Sequence, residues 1–193
     1  TKALRQVLSP DPVAHLTYVG YLSTRKNVSR LLEIIQELSQ ERKDFVLDII
    51  GDGDDKPNLE KFVQMNGLSE FVRFHGFRQK SELPAYLAKS NGFLFQTDFD
   101  IWGLVLNEAM AAGLPCISST QAGATIDLIR DGETGFVLDF RDKELVKSKV
   151  KWILDHPEDA KRMGEKARSF IEKEASIHVS ASGFVKAITN SLA

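Results

Sequence analysis

The chain is 193 residues long, 42% apolar and 27% charged, the balance of an ordinary globular domain with room for one sizeable core. A formal net charge of −2 leaves no general basic surface for nucleic acid, and a single cysteine, Cys116, excludes both a disulfide framework and a cysteine metal cluster. No apolar run nears the ~20 residues that span a membrane, no signal-peptide pattern opens the chain, and a start at Thr1 without Met reads as either an excised fragment, in which case a partner domain is absent, or a processed chain.

Residues 1–14 carry Pro10 and Pro12 and read as a lead-in, with a short helix over 2–8. The first strand is expected over 15–22 (HLTYVGYL). Asn27 then opens a helix on which Leu31, Leu32, Ile34, Ile35 and Leu38 share one face. Residues 45–50 (FVLDII) form a second strand, apolar but for Asp48, that stops at the sharp turn Gly51-Asp52-Gly53. A helix over 56–66 takes Pro57 in its first turn and ends at Gly67. Further strands are expected over 71–75, 93–96, 115–118 and 136–138, with helices over 81–90, 103–112 and 126–130. From Arg141 on the pattern is helical, over 142–154, 157–173 and 176–192.

Short apolar strands alternating with helices specify an α/β domain over 15–175. The expected architecture is a doubly wound, mostly parallel six-stranded sheet, Rossmann-like, with helices on both faces and a helical C-terminal tail. Such sheets bind ligands beyond the carboxyl ends of their strands. The segments there are 20–27, 51–55, 76–80, 96–103 and 118–125.

Gly51-Asp52-Gly53 is not a dinucleotide fingerprint, because the glycines follow the second strand and Lys56 stands where a third glycine belongs. It reads equally as a tight turn or as a place where Gly53 lets backbone approach a base or sugar. The informative segment runs from Asp98 to Gly113. Gly103, at the helix start, has no side chain to obstruct an approaching group, and the first N–H groups of a helix lack internal partners. A diphosphate is expected to accept hydrogen bonds near Gly103, Leu104 and Val105, favoured by the helix dipole. Asp100 and Glu108, eight positions apart, would then reach ligand hydroxyls on either side of it. The bland alternative makes Asp100 a helix cap and Glu108 a solvated charge. Because its helix neighbours are nearly all apolar, Glu108 is expected to be buried, where a carboxylate needs a partner.

Lys26, with Arg25 beside it, stands at the same sheet edge and could hold phosphate oxygens, as could Arg78 and Lys80. His15, His75, His156 and His178 show no metal-ligand spacing and read as structural or surface groups, and Trp102 and Trp152 read as packing residues.

Several motifs together carry a family resemblance. They are Val19-Gly20-Tyr21-Leu22 followed by Lys26-Asn27, then Ile49 to Gly53, Val72 to Phe77, Asp100 to Gly113, Pro115-Cys116-Ile117 and Ile129 to Val137. In combination they resemble the C-terminal, donor-nucleotide-binding domain of a family-4-type retaining glycosyltransferase with the GT-B two-Rossmann architecture. The likeness runs from His15 to the end of the chain.

The resemblance implies a nucleoside-diphosphate sugar bound here as substrate, with no resident cofactor and no essential metal. It implies Asp100 on the donor sugar, Glu108 on the ribose, and Lys26 with the backbone of Leu104 and Val105 on the diphosphate. Gly20, Asn27, Gly51, Gly53 and Gly103 would border the nucleotide, and Phe77 and Arg78 would lie against the base. It further implies an acceptor glycan or lipid-linked saccharide held by a preceding domain, against which 176–193 would pack. A cytoplasmic setting follows, with peripheral contact at the inner face of a membrane within its range. Three departures stand out: Asp100 where the family has Glu, Tyr21 where many members have Arg, and Ala122-Gly123-Ala124 where Gly-Gly is common. Two other readings share the nucleotide site. One is a sugar-nucleotide epimerase, the other a non-catalytic nucleotide-binding or interaction domain.

Overall fold

Alternation along the strands decides the architecture. In β4 (Gly92–Phe95), Phe93 and Phe95 enter one core while Leu94 enters the other. In β2 (Phe45–Ile50), Leu47 and Ile49 go one way and Ile50 the other. A strand that is apolar on both sides must be covered on both sides. The computed structural model describes residues 13–175 and, beyond them, residues 179, 181, 182, 185, 188 and 189. The helix expected over 2–8, and most of that expected over 176–192, lie outside the described residues.

The remaining strands are β1 (Ala14–Val19), β3 (Val72–Gly76), β5 (Cys116–Ser119) and β6 (Gly135–Leu138). They form one six-stranded sheet in the order β3-β2-β1-β4-β5-β6, and each pair is parallel. One face is covered by α1 (Val28–Glu41), α2 (Lys56–Met65) and α6 (Lys143–Asp155), which bury Leu31, Leu59 and Val150 against Leu16, Leu47 and Ile117. The other face is covered by α3 (Leu83–Lys89), α4 (Leu104–Ala111) and α5 (Gly123–Leu128), which bury Leu87, Leu106 and Ala124 against Val19, Phe95 and Cys116. The long α7 (Pro157–Glu174) serves both, with Met163 in one core and Ala167 and Ile171 in the other. Each buried Leu, Ile, Val, Phe or Met side chain among these contributes about 1.5–3 kcal/mol of transfer free energy. No helix among the described residues is long and apolar enough to cross a membrane.

Element types agree with expectation; boundaries move for identifiable reasons. The first strand stops at Val19 rather than Leu22. Leu22 is fully buried, but its backbone pairs with the loop after β2: its N–H donates to Asp52 O at 2.9 Å and its carbonyl accepts from Asp55 N at 3.0 Å. The helix expected over 126–130 lies instead at Gly123–Leu128. It begins early because Gly123 donates to Asp100 O and Ala124 to Trp102 O, and it ends where Ile129 turns extended.

Among the described residues, one buried strand position carries a carboxylate. Asp48 is 6% exposed, yet its two oxygens accept from His15 Nδ1 and His75 Nε2, each at 2.6 Å. These two histidines are structural, as expected. His75 also meets the Tyr86 ring edge-on at 5.0 Å, and the Thr17 and Ser90 hydroxyls bond each other nearby, so α3 rests on a polar layer. Burial alone would push the Asp48 carboxyl up. The bonds from His15 and His75 outweigh it and hold the group below the ordinary aspartate range. A depressed folded-state value contributes stability above the unfolded value of about 4, and that stability is lost as pH falls through the folded one. Asp48→Asn is therefore expected to cost about 1–3 kcal/mol at neutral pH. Urea unfolding should show that deficit shrinking steadily below about pH 4.

Candidate functional site

The strand order reverses between β1 and β4, and the loops leaving their carboxyl ends are tied together there. Asp98 N donates to Arg25 O at 3.1 Å. The Asp98 carboxylate accepts from Asn27 Nδ2 at 2.7 Å and Gln96 Nε2 at 3.0 Å, and pairs with Arg30. Burial would raise its pKa, but the Asn27 bond and the Arg30 charge bring it below the usual range. Asn27 is thus engaged in holding two loops together. It takes a left-handed φ of 44° as the N-cap of α1, a conformation that asparagine tolerates. Sequence reasoning missed Asp98 as the hub. The available signal was a second carboxylate two positions before Asp100.

Lys26 and Asp100 form an ion pair across the same junction. The Lys26 residue is only 6% exposed, and its ammonium lies 5.3 Å from the centre of the Phe95 ring. Asp100 does not cap α4. Its Oδ1 accepts from Trp102 N at 3.3 Å, and no side chain caps that helix. Its backbone is held by the loop after β5: its N–H donates to Gln121 O at 3.1 Å and its carbonyl accepts from Gly123 N at 3.0 Å. Gly103, the N-cap, sits at φ +99°, and a Cβ there would lie 2.5 Å from the Phe95 ring. Leu104, the first residue of α4, is exposed, and the helix start has no side-chain cap. Beneath the junction, the Tyr18 hydroxyl and Gln96 Oε1 belong to fully buried residues and have no partner among the described residues.

Glu108 corrects an expectation. Its side chain is 30% exposed and meets Lys80 Nζ at 3.5 Å. Helix α4 is apolar in sequence, but only Leu106, Ala109 and Met110 are buried, with Val105 packed partly against the same core. Leu104 and Glu108, one turn apart, face outward. Glu108 lines a groove with Lys80, Leu83, Pro84 and Leu87. Lys80 is itself well exposed, so this pair is worth little and gives way readily.

The Gly51 and Gly53 turn has a backbone cause. A Cβ on Gly51 would collide with the Gly20 carbonyl, and one on Gly53 with the Leu22 carbonyl. These three predicted residues, Gly20, Gly51 and Gly53, form the crossing of the loops after β1 and β2. Phe77 is exposed, and the Arg78 guanidinium lies 5.7 Å from the Tyr86 ring centre. Val105 is half-buried. Trp102 is no core residue: it is 38% exposed and donates to Asn107 Oδ1 at 3.1 Å. Trp152 does pack, edge-on to Phe136 at 5.4 Å.

The edge therefore offers an ammonium, uncapped helix amides and two carboxylates. Lys26, Asp100 and Gly103 lie together, and Glu108 stands one turn further along α4 in its own groove. Among the described residues, no cluster of three or more His, Cys, Asp or Glu could hold a metal ion.

Comparison with known proteins finds a match over residues 1–170 to the family described as Glycosyl transferases group 1. Alpha-D-kanosaminyltransferase of Streptomyces kanamyceticus is 31% identical over 165 residues, which cover 85% of this chain and 42% of that protein. Among solved structures, Alr3699/HepE of Anabaena, in complex with UDP and glucose, superposes with a TM-score of 0.83 at 18% identity, covering 97% of this chain and 51% of that one. The C-terminal domain of the glycosyl transferase group 1 family protein LpcC of Francisella tularensis gives 0.77 at 19% identity, covering 85% and 87%. Both likenesses concern the fold. The chain spans about two fifths of the length of the curated relatives it matches first.

Proposed function

The chain belongs to the group 1 glycosyl transferase family and has a GT-B-type domain fold, and we propose on that premise that it is the donor-binding, carboxyl-terminal domain of a retaining hexosyltransferase. The substrate is a nucleoside-diphosphate sugar. The acceptor, a saccharide or lipid-linked saccharide, is held by a preceding domain. The near-complete coverage of a solved C-terminal domain supports this choice of half.

One observation carries the reading: the uncapped amide end of α4 opens beside the Lys26–Asp100 pair at the point where strand order reverses. A diphosphate placed there receives hydrogen bonds from the backbone around Gly103, Leu104 and Val105, favoured by the helix dipole. Lys26 adds a charge-assisted bond. Charge grows on the leaving diphosphate during transfer, so these donors act where stabilisation accelerates the reaction. Asp100 orients the sugar through its hydroxyls. Glu108 holds the ribose in the groove beside Leu83, with Phe77 and Arg78 towards the base. These two carboxylates contribute position.

The test is calorimetric titration with UDP, GDP and ADP and with their sugars. Glu108→Ala is expected to weaken the preferred nucleoside diphosphate by about 1–3 kcal/mol, and to change the affinity of its 2′,3′-dideoxy form far less. Equal losses for both nucleotides would remove Glu108 from the ribose.

A further inference from the structure

We propose that Asp100 has a second role: it competes with the nucleotide's phosphates for the Lys26 ammonium and so drives release of the nucleoside diphosphate after the sugar has left. The inference rests on the donor-site reading above and concerns the regulation of that same site.

The ammonium is already taken, because Lys26 is paired with Asp100. Neither partner can easily withdraw. Lys26 is almost wholly buried, with the Phe95 ring beside its ammonium. Asp100 is pinned three ways. Its N–H is bonded to Gln121, its carbonyl to Gly123, and its Oδ1 to Trp102 N. The carboxylate also stands at the helix entrance, since Oδ2 lies 3.7 Å from where a Gly103 Cβ would be. A phosphate entering at the α4 amides thus meets a fixed anion holding the cation that it needs.

A second donor resolves this conflict when the ligand carries a sugar. Sugar hydroxyls can donate to the carboxylate and offset what it loses to the phosphates. Once the sugar is gone those donors are gone, while the diphosphate has gained charge. Two anions then share one ammonium in a partly buried space, where like charges are poorly screened. Asp100 therefore disfavours the spent nucleotide more than the loaded one.

The experiment is titration of the intact chain and of Asp100→Asn with UDP, GDP and ADP, with UDP-glucose, GDP-mannose and ADP-glucose, and with the free nucleosides. The variant keeps the size and loses the charge. It is expected to bind the preferred nucleoside diphosphate about tenfold more tightly and the nucleoside with unchanged affinity. For the sugar nucleotide the gain should be smaller, or replaced by a loss. Asp100→Ser provides the same comparison if Asp100→Asn does not fold. Equal or weaker diphosphate binding by a folded variant overturns the release role and leaves the donor site standing. If none of the three nucleotides binds the unaltered chain, the donor-site reading fails and the release role goes with it.

Discussion

Lys26→Met is expected to damage both folding and binding. Removing the ammonium leaves Asp100 without its ion partner, with its side chain only 18% exposed. Truncating one member of a fully buried pair costs about 3–5 kcal/mol, because the survivor remains charged and desolvated. The partial exposure of this pair reduces the figure to about 2–4 kcal/mol. Nucleoside-diphosphate affinity should fall as well, by about 2–3 kcal/mol, the scale of a charge-assisted hydrogen bond. The two losses have different origins and can be separated. Adding Asp100→Asn to Lys26→Met removes the stranded charge, so the double variant should recover most of the stability. It should recover the affinity only in part, because the ammonium is still missing. Urea unfolding and calorimetry of the four proteins close the cycle. Equal stability of the two Lys26→Met proteins would mean that the pair is not coupled in solution.

Gly51→Ala is expected to be strongly destabilising. The residue sits at φ +147°, and its added Cβ would overlap the Gly20 carbonyl. The obstacle is backbone, and it is fixed on both sides. Gly51 N donates to Gly76 O at 2.9 Å, and Gly20 N to Ile50 O at 3.0 Å. Relief requires the loops after β1 and β2 to part, which breaks ladder bonds and displaces the segment leading to Lys26. The cost should reach about 3 kcal/mol or more, in the range of overpacking combined with backbone strain. Gly67→Ala is the natural control. Gly67 also has positive φ, +65°, but nothing lies within 4 Å of an added Cβ. Its cost should stay near 1 kcal/mol. Similar urea midpoints for the two variants would show that the loop crossing is not tight.

These residues also show what a sequence can and cannot reveal. The strands were legible because apolar runs such as FVLDII must be buried on both faces, and β2 spans the expected residues, Phe45–Ile50. Leu22 misled because an apolar residue after a strand looks like more strand, whereas here it is buried in a loop crossing. Glu108 misled in the opposite direction. An apolar helix was read as buried all round, but a helix lying on a sheet face turns only one stripe inward. The places of Gly103, Lys26 and Asp100 beyond strand ends were visible from the order of elements. Their mutual contact was not, because 74 positions separate Lys26 from Asp100 and only the strand order brings them together. The resemblance supplied roles for these residues, while the geometry supplies the contact between Lys26 and Asp100 on which a new role can be argued.

The central place of β1 also governs when the site can come into being. As the chain is made, β1, β2 and β3 can join as soon as Gly76 is available, since they are neighbours both in sequence and in the sheet. The far edge of β1 then waits, unpaired, for Gly92 and Phe93, the partners of Leu16 and Thr17. During that interval the nascent sheet has an open edge able to join a foreign strand. Closing it is a long-range event, the slow kind in folding, and Lys26 gains its counter-ion only when Asp100 follows. Nascent chains ending near residue 90 should therefore depend on chaperones more heavily than chains that extend past β4.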